Sequence, residues 1–329
     1  MYVEKIDFKF FNSLDINGVF VSDQQGDTLL YIDSFEAKFN PWGFTKQKIL
    51  FSKVGLKGVY ANAYKQDSVW NYQFLVDAFS PDTQKKDSVK KTIPLIEVKD
   101  VSISDVRLRY DSWYIDSLAT DLSLNHFSTD SLNVEIRSLR IKEREGFEVK
   151  DLKTRFMAHP GEMSLRQFYL QLKRSEVDLQ GEVYADGIDP RNNLPRLAVG
   201  LKVNKTKLVL GDIGRFVPAL KNIRKEIDLS GEVRGRLDSV HIANLALDYD
   251  KNSIVRGNIK VVGLPETEDA YMWARLQDLR LDRSILQDFV SDMRNNPYLL
   301  PEFMTELGVM HYRGLLEGSV DSQIGRAHV

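Results

Sequence analysis

Cysteine is absent from this 329-residue chain, which excludes disulfide bonds, iron–sulfur clusters, thiol catalysis and cysteine-based zinc sites. Long hydrophobic runs are missing too. The longest is about five residues, around 270–274, whereas a membrane-spanning helix needs about 18. Basic charge is not in excess, since the formal net charge is -2 and the pI is near 6.3. The chain therefore has no basic field for binding nucleic acid.

Recognisable catalytic and metal-binding motifs are also scarce. The histidines include no pair at ligand spacing, and the chain has no P-loop and no Gly-x-Ser-x-Gly sequence. Asp111 and Asp116 could be interpreted as the two catalytic carboxylates of a glycosidase, but acidic residues beside turns are usually solvated. We therefore predict that the protein is not an enzyme and that it needs no cofactor and no metal.

The C-terminal residues 324–329, Ile-Gly-Arg-Ala-His-Val, have an unusual origin. They are the translation of ATCGGAAGAGCACACGTC, a string found in a common short-read sequencing adapter, and the next adapter triplet is a stop codon. We exclude this segment from fold reasoning, as we would an expression scar. We expect the biological protein to continue past Ser322.

The strongest positive signal is the alternation of apolar and polar residues with a period of two, which predicts strands with one wet face. In residues 96–110 apolar residues occur at every second position, but the spacing between them is three residues across Asp100 and again across Asp105. A short turn or a bulge at each Asp would restore the same face. We expect the following residues to line an apolar groove: Ile6, Phe8, Phe10, Phe35, Ala37, Phe39, Leu132, Val134, Ile136, Leu197, Val199, Leu201, Val203, Leu245 and Leu247.

The number and spacing of these segments predict the topology. Counting them gives roughly 20 short strands, and their short connections favour a meander of neighbouring antiparallel strands. A looser repeat, apolar-x-apolar-x-Gly-x-apolar, occurs at 177–183 and 227–235, with weaker copies around 255–259 and 314–320. Because glycine weakens a strand unless it permits a bend or a close backbone approach, the repeat predicts a sharply curled sheet. Chance recurrence of glycine is the alternative.

Helical patterns are few, and one polar stretch divides the chain. Residues 80–92 are expected to form a linker between an N-terminal β segment, 1–79, and a continuing β region, 93–323. Trp42, which follows Pro41 in a turn, is expected to be a core residue rather than an interface anchor. Short helices are predicted near 212–222, 282–294 and 301–307, the second capped by Asp282, and a fourth is predicted over Trp70, Phe74, Leu75 and Ala78.

Two phrases in the first hundred residues carry a resemblance. Residues 14–30 are similar to the pattern I-x-I-x-x-V-x-V-x-D-x-x-G-x-x-L-L, and residues 69–72 are similar to a Trp-Asn element that precedes a variable linker. In order and spacing, residues 1–110 resemble the AsmA/TamB-like family. They are closest to TamB-type translocation and assembly module proteins of Bacteroidota. Beyond residue 110 the resemblance rests on the glycine-bearing strands and the segment near Asp212.

The resemblance implies a mainly β fold, namely an elongated, strongly curved antiparallel sheet (a β-taco) with an open hydrophobic groove and a few short helices. It implies a periplasmic protein, anchored in the inner membrane through a segment missing from this chain. Such a protein carries phospholipid or fatty acyl chains between the inner and outer membranes and supports outer-membrane biogenesis, with the outer-membrane assembly machinery as a further expected partner.

Two alternatives stay open at this point. One is an assembly factor or scaffold that acts on outer-membrane proteins through β-strand interactions. The other is a closed β-sandwich binding module, because alternation with a period of two does not separate a closed core from an open groove.

Overall fold

Strands dominate the part of the chain that the computed structural model describes. Sixteen strands form one open sheet in which neighbouring strands follow the order of the chain, and two further strands form a separate hairpin. This confirms the prediction of a mainly β fold with one large open sheet and few helices. The described residues are 2–9, 12–39, 42, 48–79, 95–128, 131–184, 197–214, 222–223, 225–236, 238–249, 251–263, 270–294, 297, 299–300 and 308–319.

The first compact unit is Met1–His159. Its elements are β1 (Tyr2–Lys9), β2 (Ser13–Ser22), β3 (Thr28–Phe39), β4 (Lys48–Ala63), β5 (Lys65–Gln66), β6 (Val69–Trp70), α1 (Gln73–Phe79), β7 (Leu95–Tyr110), β8 (Trp113–Phe127), β9 (Leu132–Glu143) and β10 (Glu148–His159).

The predicted antiparallel meander is interrupted once in this unit. Strands β4 and β7 pair in parallel, from Lys48 opposite Leu95 to Ala63 opposite Tyr110. A parallel pair requires a crossover connection, and the chain between these strands contains the β5–β6 hairpin and α1. The predicted linker 80–92 lies outside the described residues, and β4 and β7, which lie before and after it in the chain, are neighbouring strands of one unit.

The second compact unit is Pro160–Val329, and each described strand pair within it is antiparallel. Its elements are β11 (Glu162–Leu172), β12 (Glu176–Tyr184), β13 (Ala198–Val209), a 3-10 helix (Leu210–Ile213), β14 (Glu226–Arg236), β15 (Ser239–Asp248), β16 (Ile254–Val262), β17 (Tyr271–Asp282), α2 (Arg283–Arg294) and β18 (Val309–Ser319).

The helices correspond only in part to the sequence patterns. Helix α2 lies where 282–294 was predicted to be helical, and the Ser284 N–H donates to Asp282 Oδ1 over 2.9 Å, which is the capping contact expected of Asp282. Helix α1 begins at Gln73, so Trp70 of the predicted fourth helix belongs to β6. The predicted helix 301–307 and residues 324–329, for which an adapter origin was predicted, lie outside the described residues.

Asp212 does not occupy the cap position expected of it, because it lies inside the 3-10 helix Leu210–Ile213. Its carboxylate is largely buried and accepts the Arg174 backbone N–H over 3.0 Å and the Ser175 hydroxyl over 2.7 Å. Arg174 also forms an ion pair with Asp212 at 2.8 Å. Asp212 therefore ties the end of β13 to the β11–β12 turn. Residues 215–221 of the predicted helix are outside the described part of the chain.

The strands are longer than predicted because the phase jumps occur inside them. β7 runs from Leu95 to Tyr110 without a turn, and its pairing with β8 shifts register near both predicted positions, Asp100 and Asp105. Asp105 has a φ of 56°, in the left-handed region. Of the two predicted devices, the structure therefore has bulges rather than turns.

The irregularity at Asp105 belongs to a line that crosses four strands. The register places Gly18 of β2, Asp33 of β3, Gly58 of β4 and Asp105 of β7 side by side. Gly18 and Gly58 have φ values of 64° and 63°, and a Cβ on Gly58 would lie 2.6 Å from the Asp33 Cβ. Glycine is required at Gly58 by both its backbone conformation and this close approach.

This line explains why the apolar phase slips in several strands at once. The apolar positions step by three residues across it, for example from Ile16 to Val19 in β2 and from Leu56 to Val59 in β4. Because neighbouring strands carry the irregularity at the same level, the pairing of Asn17 with Ser34 and of Val19 with Ile32 continues on both sides of it. The apolar face is therefore kept through the irregularity.

The two phrases that carry the family resemblance meet in the first unit. The buried Asp23 carboxylate accepts the Gln25 and Asp27 backbone N–H groups at 3.0 and 2.9 Å, and at 3.4 Å it also accepts the Asn71 amide and the Tyr64 hydroxyl. Burial acts to raise the pKa of Asp23, but these four donors outweigh it and hold the pKa below its ordinary value. The β2–β3 turn is thereby tied to the Trp-Asn element.

The first prediction concerns this carboxylate. Asp23→Ala leaves buried donors unsatisfied, and we expect it to lower the free energy of unfolding at pH 7 by about 1–3 kcal/mol. Because the folded-state pKa is depressed, the contribution of Asp23 is present above its ordinary pKa and is lost as the pH falls below about 4. Urea unfolding at pH 7 and pH 3 should therefore show a smaller difference between wild type and variant at pH 3.

The matched control is Asp27→Ala, which removes an exposed carboxylate from the same turn. We expect it to change stability little at either pH. Equal losses for the two variants would contradict the role assigned to Asp23.

Candidate functional site

Three rows of apolar residues and glycines cross the eight strands of the second unit. Residues that pair directly across an antiparallel sheet lie on the same face. The first row is Met163, Val183, Val199, Gly235, Val240, Val261, Met272 and Gly318. The second row is Leu165, Gly181, Leu201, Val233, Ile242, Ile259, Ala274 and Leu316. The third is Phe168, Leu179, Val203 and Gly231, then Leu245, Gly257, Leu276 and Gly314.

The third row passes through a bulge between β14 and β15. Register shifts where Ser230 pairs with Ala246 and Glu232 with Ala243. Asn244 has a φ of 52° there, and a Cβ on Gly231 would lie 3.5 Å from Leu245 Cα. The bulge therefore keeps Gly231 beside Leu245 and returns the apolar residues of β15 to the same face. We call the three rows together the apolar face of unit 2.

Most of this face is neither sealed nor fully exposed. Gly257, Ala274 and Leu276 are its buried members, Gly235 is exposed, and the other positions are partly exposed. The interior of a closed sandwich would make such side chains largely inaccessible to water. The observed exposure therefore does not fit the closed-sandwich alternative for this unit.

The first unit has comparable rows, with two polar interruptions. One row is Ile6, Ile16, Phe35, Leu56, Ile103, Thr120 and Leu139. The next is Phe8, Leu14, Ala37, Val54, Val101, Leu122, Ile136 and Thr154. A third is Phe39, Phe51, Val98, Leu124, Val134 and Phe156. Thr120 and Thr154 are buried, and Thr120 donates to the Ser138 carbonyl over 2.9 Å.

The structure places the predicted lining residues of the first unit on these rows. Ile6 and Phe35 are on the first, Ala37 and Ile136 on the second, and Phe39 and Val134 on the third. Leu132 lies on a further row, between Phe127 and Ala158. Ile6 is 54% exposed and Ala37 is buried. Phe8 pairs with Leu14 through the backbone, but its side chain and the whole of Phe10 lie outside the description.

The predicted lining residues of the second unit are also brought together. Val199, Leu201 and Val203 each belong to a different row of the apolar face, and Leu245 belongs to the third row. Leu247 lies one position further along, between Leu229 and Val255. Leu197, which precedes β13, is buried.

Several members of the apolar face were not predicted as lining residues. Leu179 and Val233 were visible in the sequence as parts of the glycine repeat, and the register now gives them a place on the face. Leu165 and Phe168 were hidden because Gln167, with a φ of 53°, interrupts the alternation of β11. Reading the alternation across such a residue would have found them.

The opposite, polar faces carry many ion pairs between neighbouring residues. Glu36 accepts Lys53 and Lys38 at 2.9 Å each, and these two contacts lower the pKa of the Glu36 carboxyl below its ordinary value. Asp116, half of the carboxylate pair considered from sequence, forms an ion pair with Arg144 at 3.1 Å. Such exposed pairs neutralise local charge and contribute little to stability.

Trp42 corrects another expectation. It is 93% exposed, so it is not the core residue that its position after Pro41 suggested. The strand pattern does not specify whether a residue between two strands is buried, which is why sequence alone placed Trp42 wrongly.

The apolar face of unit 2 offers methyl and methylene groups and no ionisable side chain, so its chemistry is the binding of apolar chains. No helix in the described ranges is long and apolar enough to cross a membrane. Nor do these ranges hold a cluster of three or more His, Asp or Glu side chains suited to a metal ion. Comparisons with protein-family models, curated proteins and solved structures found no match.

Two glycines of unit 2 differ sharply in the space around them. A Cβ on Gly257, on the apolar face, would meet the Arg275 carbonyl oxygen and would lie 3.0 Å from Leu276 Cα. A Cβ on Gly200, on the polar face of β13, would meet nothing within 4 Å. The backbones of β16 and β17 therefore approach closely at Gly257, which is the use of glycine that the repeat predicted.

The second prediction compares these positions. Gly257→Ala should force β16 and β17 apart and lower the free energy of unfolding by about 1–3 kcal/mol. Gly200→Ala, the matched control, should be neutral or stabilising by about 0.4–1 kcal/mol, because it restricts the unfolded chain. Equilibrium urea unfolding measures both. Equal stability of the two variants would mean that the close approach at Gly257 is unimportant.

Proposed function

We propose that this chain is a section of an envelope-spanning protein whose apolar groove carries phospholipid between the inner and outer membranes and so supports outer-membrane biogenesis. The observation that carries the proposal is the apolar face of unit 2. Its rows run across eight strands with no polar side chain, and most of its residues stay partly exposed. The resemblance of residues 1–110 to the AsmA/TamB-like family points the same way.

The physical need for such a face follows from the cost of moving lipid through water. A two-chain phospholipid exposes about 30 methylenes, and at roughly 0.8 kcal/mol each the barrier is near 24 kcal/mol. A barrier of that height allows a rate on the order of 10⁻⁵ per second, or about one transfer per day. An apolar track removes most of this barrier, because the acyl chains slide along side chains while the headgroup stays in water.

The arrangement of the rows suits a sliding ligand. Aliphatic side chains and glycines supply contacts without directional hydrogen bonds, so no position along the face holds an acyl chain much more tightly than the next. Partial exposure leaves room for such a chain, and burial of these residues against it would be favourable by about 25 cal/mol per Å² of apolar surface.

The third prediction tests this proposal with neighbouring residues on opposite faces of β12. Leu179 belongs to the apolar face, and Gln180, the next residue, is exposed and pairs with Lys202. Leu179→Glu places a carboxylate against any bound acyl chain, and we expect at least a tenfold loss of co-purifying phospholipid. Gln180→Glu makes the same change of charge on the polar face and should retain wild-type lipid.

Lipid content is measured by mass spectrometry of a solvent extract of each purified protein, with circular dichroism as the check on folding. Wild-type protein should yield phospholipid or fatty acid. A folded wild-type protein without lipid, or equal lipid in the two variants, would contradict the proposal.

A further inference from the structure

A second candidate site lies on the polar face of unit 2, opposite the apolar rows. It is a depression of ≈ 410 Å³ on strands β15 to β18, and its lining includes His241, Lys260, Trp273, Arg275 and Leu315. We call it the aromatic–basic depression. Of its lining residues only Ile259 also belongs to the apolar face, and the groups argued from below are all on the opposite face. The inference therefore does not rest on the proposed function.

The strand register brings the basic and aromatic groups of the depression together. His241 pairs with Lys260, and Lys260 pairs with Trp273, so the three form one line across β15, β16 and β17. Lys260 Nζ lies 5.5 Å from the centre of the Trp273 ring, within the range of a cation–π contact. In the adjacent line Arg275 pairs with Leu315 of β18.

The charges in the depression are less neutralised than those on much of the polar face. Lys207 pairs with Glu226 at 3.0 Å and Arg280 with Asp278 at 2.8 Å, whereas neither Lys260 nor Arg275 forms an ion pair with a residue that the structure describes. One carboxylate, Glu317, faces Trp273 from β18. With these two cations and one carboxylate, the site keeps a positive balance and attracts anions.

Exposed apolar surface accompanies this charge. Trp273 is 40% exposed and Leu315 is 48% exposed, and the Trp273 ring lies 4.4 Å from that of Tyr271. A small soluble anion without apolar groups would gain nothing from an indole and an isobutyl group left in water. A bilayer surface satisfies both features, because indole rings prefer the headgroup level and Lys and Arg contact lipid phosphates.

We infer that the aromatic–basic depression docks this unit on the surface of a bilayer that contains anionic phospholipids. Lys260 and Arg275 contact the headgroup phosphates, and Trp273 and Leu315 enter the interfacial layer beside them. His241 borders the same contact. The depression is a site for a membrane surface rather than for a soluble phosphate compound.

The fourth prediction is a co-sedimentation experiment with the full chain. Vesicles of phosphatidylcholine alone should bind it weakly, and vesicles that also contain phosphatidylglycerol should bind it well at low salt. Since each basic side chain near an anionic surface is worth about fivefold in partition coefficient, the double variant Lys260→Gln/Arg275→Gln should bind about 30-fold more weakly. Trp273→Ala should also weaken binding, although it changes no charge.

The matched control is Arg166→Gln/Lys205→Gln, which removes two exposed cations from other strands of the same unit. It should bind like wild type, and circular dichroism should show that the variants are folded. An equal loss in this control would reduce the effect to net charge and overturn the inference. Release of the wild-type protein from vesicles by soluble glycerol phosphate, at a matched phosphate concentration and ionic strength, would assign the site to a free anion and would also overturn it.

Discussion

The structure depends on one constraint, which is that hydrogen-bonded neighbours in a sheet must present side chains of the same kind on the same face. Successive side chains of a strand point to opposite faces of the sheet. A register shift of one residue in any strand would therefore place charged groups among apolar ones. Where the alternation of apolar and polar residues changes phase, the backbone has a local irregularity at the same position. Gly18, Gly58 and Asp105 adopt left-handed conformations in one line across the first unit. In the second unit Gln167 of β11 and Asn244 of β15 adopt the same conformation at separate places. The apolar faces persist because the irregular residues are placed where the phase changes.

Keeping such a face open has a physical consequence. An apolar residue in a sealed core gives up nearly all of its contact with water, whereas most members of the apolar face of unit 2 retain part of it. The strands are held instead by their backbone ladders, by turn networks such as that of Asp23, and by clamps such as Asp212 with Arg174. Stability that comes from ladders and strand ends leaves the face itself available for a ligand. This arrangement underlies the proposed function.

The two faces of unit 2 also separate two kinds of chemistry. The apolar rows carry no charge. The opposite face of the same strands carries Lys260, Arg275 and other charged groups, each one residue away in sequence from a member of the apolar rows or close to it. Period-two alternation is sufficient to keep them apart, because adjacent residues such as Leu179 and Gln180 point to opposite sides. One strand can therefore contribute both to the proposed lipid track and to the proposed contact with an anionic membrane surface.

Much of the fold could be read from the alternation, and the failures have identifiable causes. Reasoning from spacing works for Val199, Leu201 and Val203, which occupy three successive rows of one face. It failed for the capping position of Asp212, because a carboxylate before apolar residues resembles a helix cap although its partners, Arg174 and Ser175, lie on another hairpin. It also missed the parallel pairing of β4 with β7, since local patterns carry no information about which distant strand becomes a neighbour.

The sequence by itself determined the β class, the identity of the apolar positions and the places where their phase changes, because these depend on local period and residue type. Only the tertiary structure decided which strands are neighbours, how the apolar residues join into rows, and that the rows are left partly open. Those properties depend on register and on what covers a face, and both are set by contacts between residues far apart in the chain. Leu179 illustrates the division: the sequence places it in a glycine-bearing strand repeat, and only its neighbours across the sheet, Phe168 and Val203, give it a place on the apolar face.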